Sequence, residues 1–247
     1  MGRHVHPPVR KPSLGLRILG VIGELLITIG LVLALFIVWQ VWWTDIGAHQ
    51  EQRELVASFR SETETPPPSE EGTRGEGPPP SLDADAIKGS VNTNTPWGVM
   101  HIPRFGDDYE VAIAEGVDLA TVLDKGSLGH YPDSALPGEL GNMAMAGHRQ
   151  TYGAPLKNQP DLQEGDPLII ETKDYWYIYR VTSHDIVDPS YTAAVAAVPG
   201  DPTATPDKYL LTLTTCHPPF VSNQRWITYA EFDYWMPTES GTPKELL

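Results

Sequence analysis

The chain has 247 residues, with 17 basic and 32 acidic side chains, a formal net charge of −15, 24 prolines, 22 glycines and one cysteine. A hydrophobic content of 40% over this length is enough for a real core and excludes a chain disordered throughout. The acidic excess repels phosphate backbones and argues against nucleic acid as a partner, and a single cysteine excludes both an internal disulfide framework and a multi-thiolate metal site.

Residues 1–17 carry Arg3, Arg10, Lys11 and Arg17 and no acid, whereas 13 of the 17 basic and 31 of the 32 acidic side chains lie from Thr44 onward. Between these zones, residues 25–43 are apolar except for Thr28, Gly30 and Gln40. Nineteen helical residues span about 28 Å, close to the roughly 30 Å of a hydrocarbon core. Residues 18–43 are therefore expected to form a transmembrane anchor, with Trp39, Trp42 and Trp43 as an aromatic belt. The basic tail, residues 1–17, then stays cytoplasmic and the rest of the chain lies outside the cell. A cleaved signal peptide needs a shorter apolar run and small residues at its end, where this chain has Trp-Trp-Thr-Asp. A buried core helix would not be apolar on every face for more than four turns.

Residues 44–90 are expected to be an extracellular spacer. Residues 45–60 have the composition to continue the helix briefly. Residues 61–90 are so rich in Pro, Glu, Gly and Ser that they are expected to be disordered, reaching with their neighbours on the order of 40 Å. The folded domain is placed at residues 91–237 and a C-terminal tail at 238–247. Within the domain, short apolar runs such as WGVMHI, NMAMAGH, YLLTLTTC and RWITYAEF are separated by Gly, Pro, Asp and Asn, which predicts an all-β barrel or sandwich. LIIET-KD-YWYIYRV reads as a hairpin, and helical periodicity is confined to residues 118–123 and 191–198.

In YLLTLTTC the two-residue period of a strand sets Leu211 and Leu213 on one face and Thr212, Thr214 and Cys216 on the other. A lone cysteine is often only a small buried hydrophobe. Here Arg225 opens the next strand, and in a hairpin it lies across from Cys216, where a guanidinium favours a thiolate and binds a developing oxyanion. His148 ends another strand just where a loop begins. Cysteine and histidine on neighbouring strand ends are the minimum for thiol acyl transfer, with imidazole as proton donor to the leaving amine. His101, His130, His184 and His217 are expected at the surface or in hydrogen bonds, and His217, adjacent to the thiol, points to the opposite strand face.

The ordered set GHYPDSALPGELGNMAMAGHR, TYGAPLKNQPDLQEGD, LLTLTTC and Arg225 resembles the sortases, membrane-anchored cysteine transpeptidases of Gram-positive bacteria. The TLTTC box and the HYP segment are similar to class E, found in many high-GC actinobacteria. The resemblance implies an eight-stranded β-barrel with Cys216 as nucleophile, His148 as acid/base and Arg225 as transition-state stabiliser. It implies no metal or organic cofactor. The expected partners are surface proteins bearing an LPXTG- or LAXTG-like sorting signal, together with an amine of a lipid II-type cell-wall precursor or a pilin lysine. Class E likeness implies a preference for Ala over Pro in that signal, with Tyr131 and Thr215 as candidate substrate contacts; Tyr131 packing a loop on the barrel is the plainer alternative. His217-Pro218-Pro219 stands where class E members often carry an Asn and a basic residue, so this loop is expected to select a somewhat different substrate. A secreted thiol hydrolase and a catalytically silent anchored adaptor remain alternatives.

Overall fold

The computed structural model describes residues 14–61 and 70–247, so most of the expected basic tail and residues 62–69 of the expected spacer lie outside the described residues. The chain divides into two compact units, Met1–Trp43 and Thr44–Leu247. The first is formed by part of helix α1 (Leu14–Ser61). Within it the stretch Ile18–Ile37 is long and apolar enough to cross a membrane, and none of it is buried.

The second unit is a closed barrel of eight strands: β1 (Pro96–His101), β2 (Glu110–Glu115), β3 (Leu128–His130), β4 (Gly141–Ala146), β5 (Pro167–Glu171), β6 (Tyr175–Val187), β7 (Tyr209–His217) and β8 (Gln224–Pro237). Their order around the barrel is β1-β2-β3-β4-β7-β8-β6-β5, closed by antiparallel pairing of β1 with β5. Closure leaves no open edge. Two seams are parallel, β2 with β3 and β4 with β7. The expected hairpins both form: Glu171 pairs with Trp176 across β5 and β6, and Cys216 pairs with Arg225 across β7 and β8. The expected helical pieces shrink to 3-10 turns at Leu123–Lys125 and Thr192–Val195.

Inward side chains such as Met100, Ile113, Leu128, Met143, Met145, Ile170, Tyr177, Leu211 and Leu213 fill the barrel. Strict alternation fails on two outer faces because other parts of the chain cover them. Val56 and Phe59 of α1 pack on Val99 and Ala112. Burying side chains of that size contributes about 1.5–3 kcal/mol each. On the far face Ile169, Trp176, Ile178, Tyr234 and Met236 form a second cluster against which Leu246 packs.

From residue 70 onward, that covering corrects the expected disorder of residues 61–90. Residues 70–90 are ordered along the barrel, held by backbone pairing together with Leu82 against the barrel core and the buried Ile87. Gly72 N–H donates to Thr242 O, Thr242 N–H to Glu70 O and Gly75 N–H to Trp235 O at 2.8–3.0 Å. Tyr177 Oη–H donates to Pro80 O at 2.7 Å, and the Arg74 guanidinium lies 3.7 Å above the Tyr234 ring. At Gly75 a Cβ would meet the Trp235 ring at 2.3 Å, so a glycine is what permits this approach. Helix α2 (Ala84–Lys88) follows, capped by the Asp83 carboxylate accepting from Asp85 N–H and Ala86 N–H. At the C-terminus, Glu245 is bound by Arg180 and by the Tyr234 hydroxyl, tying that segment down as well.

Candidate active site

The parallel seam of β4 and β7 runs to Ala146 opposite Thr214. Beyond it Gly147 N–H donates to Thr214 O at 3.2 Å, and the Thr215 hydroxyl donates to Gly147 O at 2.7 Å. Cys216 follows Thr215 on β7, and His148 follows Gly147 two residues past the end of β4, so the seam leads both residues to the same end of the barrel. On the other side of β7, Arg225 stands directly across from Cys216. The thiol is partly exposed. Of the three residues expected to act together, Cys216 and Arg225 are paired in the β7–β8 ladder, and His148 lies just beyond the strand that pairs with β7 on its other side.

His148 is held by two groups that sequence reading did not find. Its Nε2 lies 2.7 Å from Asp124 Oδ1, and the Tyr152 ring stacks on it at 5.2 Å with an interplanar angle of 29°. A carboxylate acceptor at Nε2 calls for the proton there, which leaves Nδ1 as the atom available for proton transfer. Arg225 Nη1 donates to Ser222 O at 3.1 Å and Gln224 O at 2.9 Å, which fixes the guanidinium against the loop joining β7 to β8. At that loop's tip Phe220 and Val221 are exposed.

A second guanidinium reaches the backbone of Cys216. Arg149 Nη1 donates to Cys216 O at 3.3 Å and to His217 Nδ1 at 2.6 Å, and its Cζ lies 5.9 Å from the Trp226 ring. Burial lowers the Arg149 pKa, opposed by the charges of Asp161 and Cys216. Burial, and then the Arg149 charge, lowers the pKa of His217. His217 therefore accepts as a neutral ring. No local pattern marks Arg149, because its partners lie 67 and 68 residues away.

The two candidate substrate contacts separate. Thr215 is 3% exposed, and its hydroxyl is committed to Gly147, so it joins the strands rather than facing a ligand. Tyr131 lies over the same seam: its hydroxyl is 3.2 Å from Thr214 Oγ1 and its ring packs beside Ala114, Val122, Leu123 and Ala146. Of the histidines expected at the surface or in hydrogen bonds, two are buried and hydrogen-bonded to carboxylates. His130 Nδ1 is 2.8 Å from Glu115, with Nε2 near Ala135 O and Ser134 Oγ, and His101 Nε2 is 2.7 Å from Glu171. The first pair anchors the start of the loop that carries Tyr131. Among the described residues, no group of three or more His, Cys, Asp or Glu is placed to hold a metal ion.

Comparison with known proteins identifies the family. The sortase domain family model matches residues 100–233. Sortase SrtE1 of Streptomyces coelicolor is 31% identical over 244 residues, covering 96% of this chain, which spans 64% of the length of SrtE1. Sortase SrtE2 of the same organism is 30% identical over 231 residues, covering 90% of this chain and 85% of SrtE2. Among solved structures, the SrtA sortase from Actinomyces oris superposes with a TM-score of 0.58 at 35% identity, covering 75% of this chain and 95% of that one. Sortase E1 from Streptomyces coelicolor, solved with a tripeptide in its active site, gives a TM-score of 0.59 at 33% identity, covering 64% of this chain and 99% of that one. The family match and the eight-stranded closed barrel lead to one conclusion: the chain belongs to the sortase family.

Proposed function

We propose that the protein is a membrane-anchored cysteine transpeptidase that cleaves an LPXTG- or LAXTG-like sorting signal after Thr and passes the acyl group to an amine. The observation that supports this reading is the pairing of Cys216 with Arg225 in the β7–β8 ladder, on a strand whose other neighbour, β4, leads into His148. His148 takes the Cys216 thiol proton at Nδ1, the thiolate adds to the Thr carbonyl carbon, and the resulting oxyanion is stabilised by the Arg225 guanidinium. Collapse breaks the C–N bond, and His148 gives its proton to the departing amine. The thioester is then attacked by an incoming amine, which loses a proton to His148 as the thiolate leaves. A lipid II-type precursor or a pilin lysine supplies that amine.

The topology belongs to the same proposal: the basic residues before Ile18 keep the N-terminus cytoplasmic, and the barrel faces the cell wall. Protease added to intact protoplasts then removes the barrel and spares the tail; a protected barrel would reverse the orientation.

The chemistry is tested by incubating the full chain with a sorting-signal peptide and weighing the intact protein. An adduct of the acyl fragment on Cys216, absent in Cys216→Ala and discharged by an added amine, is expected. Discharge by water alone, whatever amine is present, would favour the thiol hydrolase. Absence of any adduct would favour the silent adaptor.

A further inference from the structure

In residues 45–60 the buried side chains Ala48, Gln52, Val56 and Phe59 recur at helical spacing on the face of α1 turned to the barrel. Val56 and Phe59 rest on Val99 and Ala112 of the barrel wall. Ala48 and Gln52 do something different, because they lie on the two turns that hold His148.

The first turn follows Asp124 and closes at Gly126, whose φ is +83°. A Cβ on Gly126 would lie 3.1 Å from Tyr152 O, 3.2 Å from Gln52 Cγ and 3.5 Å from Ala48 Cβ. The second turn follows Tyr152 and closes at Gly153, whose φ is +77° and whose Cβ would lie 3.3 Å from Ala48 Cβ. Two stretches of bare backbone therefore meet one turn of the helix, one carrying the carboxylate bonded to the imidazole and the other the ring stacked on it.

Gln52 adds three polar contacts. Its Nε2 donates to Lys125 O at 3.3 Å and to Ser127 Oγ at 3.1 Å, and its Oε1 accepts from Ala112 N–H at 2.9 Å. These atoms lie where β2 and β3 part, since their pairing begins only at Ile113 opposite Leu128. The amide side chain thus spans the gap between strands immediately after the Asp124 turn. Glu51 adds an exposed ion pair to Lys125 at 3.2 Å, of little energetic weight.

We propose that α1 beyond the membrane span is a positioning element for His148, acting through Ala48 and Gln52 on the turns at Asp124 and Tyr152. The inference rests on the reading of His148 as the acid/base. Neither Ala48 nor Gln52 touches the thiol, so their influence has to pass through the hydrogen bond and stacking contact of the ring.

The test uses the full chain in detergent with 15N-labelled histidine. Gln52→Met keeps the side-chain stem and removes the polar contacts; Ala48→Leu wedges the helix off both glycine turns. In each, the His148 ring nitrogen signals are expected to move toward those of Asp124→Asn. The kcat for acylation by a sorting-signal peptide is expected to fall on the order of tenfold, with KM little changed. Val56→Ala, which thins the helix contact away from these turns, is expected to lower the thermal midpoint and leave the ring signals in place.

Ring signals unmoved in folded Gln52→Met and Ala48→Leu would overturn the proposal, as would equal movement in Val56→Ala. A wild-type chain that never acylates would sink the transpeptidase reading alone, because the ring signals report positioning without turnover.

Discussion

Arg225 and Arg149 reach the strand of Cys216 from its two sides, and their bonds assign them different work. Arg149 holds main-chain Cys216 O and the His217 ring, which are structural contacts. Arg225 is anchored through Nη1 alone, and its Nε and Nη2 form no hydrogen bond among the described residues. A planar fork with one arm fixed suits an oxyanion, and a lysine would keep the charge and lose the fork. Arg225→Lys is expected to retain the wild-type thermal midpoint and lose at least about a hundredfold in kcat/KM, the scale of one preorganised oxyanion donor. Near-normal turnover, measured above a Cys216→Ala floor, would move that role to backbone N–H groups. Tyr131 has a more modest claim. If its ring and hydroxyl read the second position of the sorting signal, Tyr131→Phe and Tyr131→Leu shift the LAXTG/LPXTG ratio of kcat/KM. An unchanged ratio would leave Tyr131 as a residue that packs its loop on the seam.

At the scale of elements, the segment before the barrel acts as a strap whose fit depends on single backbone atoms. Gly138 has φ +85°, and a Cβ there would sit 1.8 Å from Pro80 O, while Ser81 Oγ donates to Gly138 O at 3.1 Å. Gly138→Ala is expected to cost about 1–3 kcal/mol, since the strained φ and the displaced strap add. Thermal unfolding, with limited proteolysis within residues 70–90, reads both effects; an unaltered midpoint and cleavage rate would show that the strap contributes nothing. This strap also marks where sequence reading stops. Strands such as β5, β6 and β7 were legible from short apolar runs between turn residues, and the Cys216–Arg225 pairing from the hairpin joining their strands. The strap lacks an apolar period because glycine backbones hold it, so composition reads it as spacer. Asp124 and Arg149 were equally invisible, since no local pattern announces a partner contributed from another loop.

For the whole molecule, pH acts through two histidines kept neutral. Burial lowers the His184 pKa from the usual 6.5, with Asp166 opposing, and burial with the Arg149 charge lowers that of His217. As pH falls below about 6.5, the unfolded chain takes up protons at these rings that the folded chain refuses. Their contribution is therefore intact above that pH and declines from there toward the lowered folded values. Replacing one ring isolates its share from the many carboxylates. The thermal midpoint of wild type minus that of His184→Gln is expected to be smaller at pH 5 than at pH 7.5, and a constant difference would exclude His184 as a contributor.

The parallel seam between β4 and β7 also sets an order of events. A hairpin brings Cys216 to Arg225 as soon as β7 and β8 fold back on each other. No hairpin can bring Cys216 to His148, because parallel strands need a long connection, and here β5 and β6 intervene. A chain still emerging or half folded carries an ordinary cysteine, and the reactive pair comes into being only when β7 docks along β4. On the proposed mechanism, docking of β7 along β4 thus serves as a maturation step for the thiol.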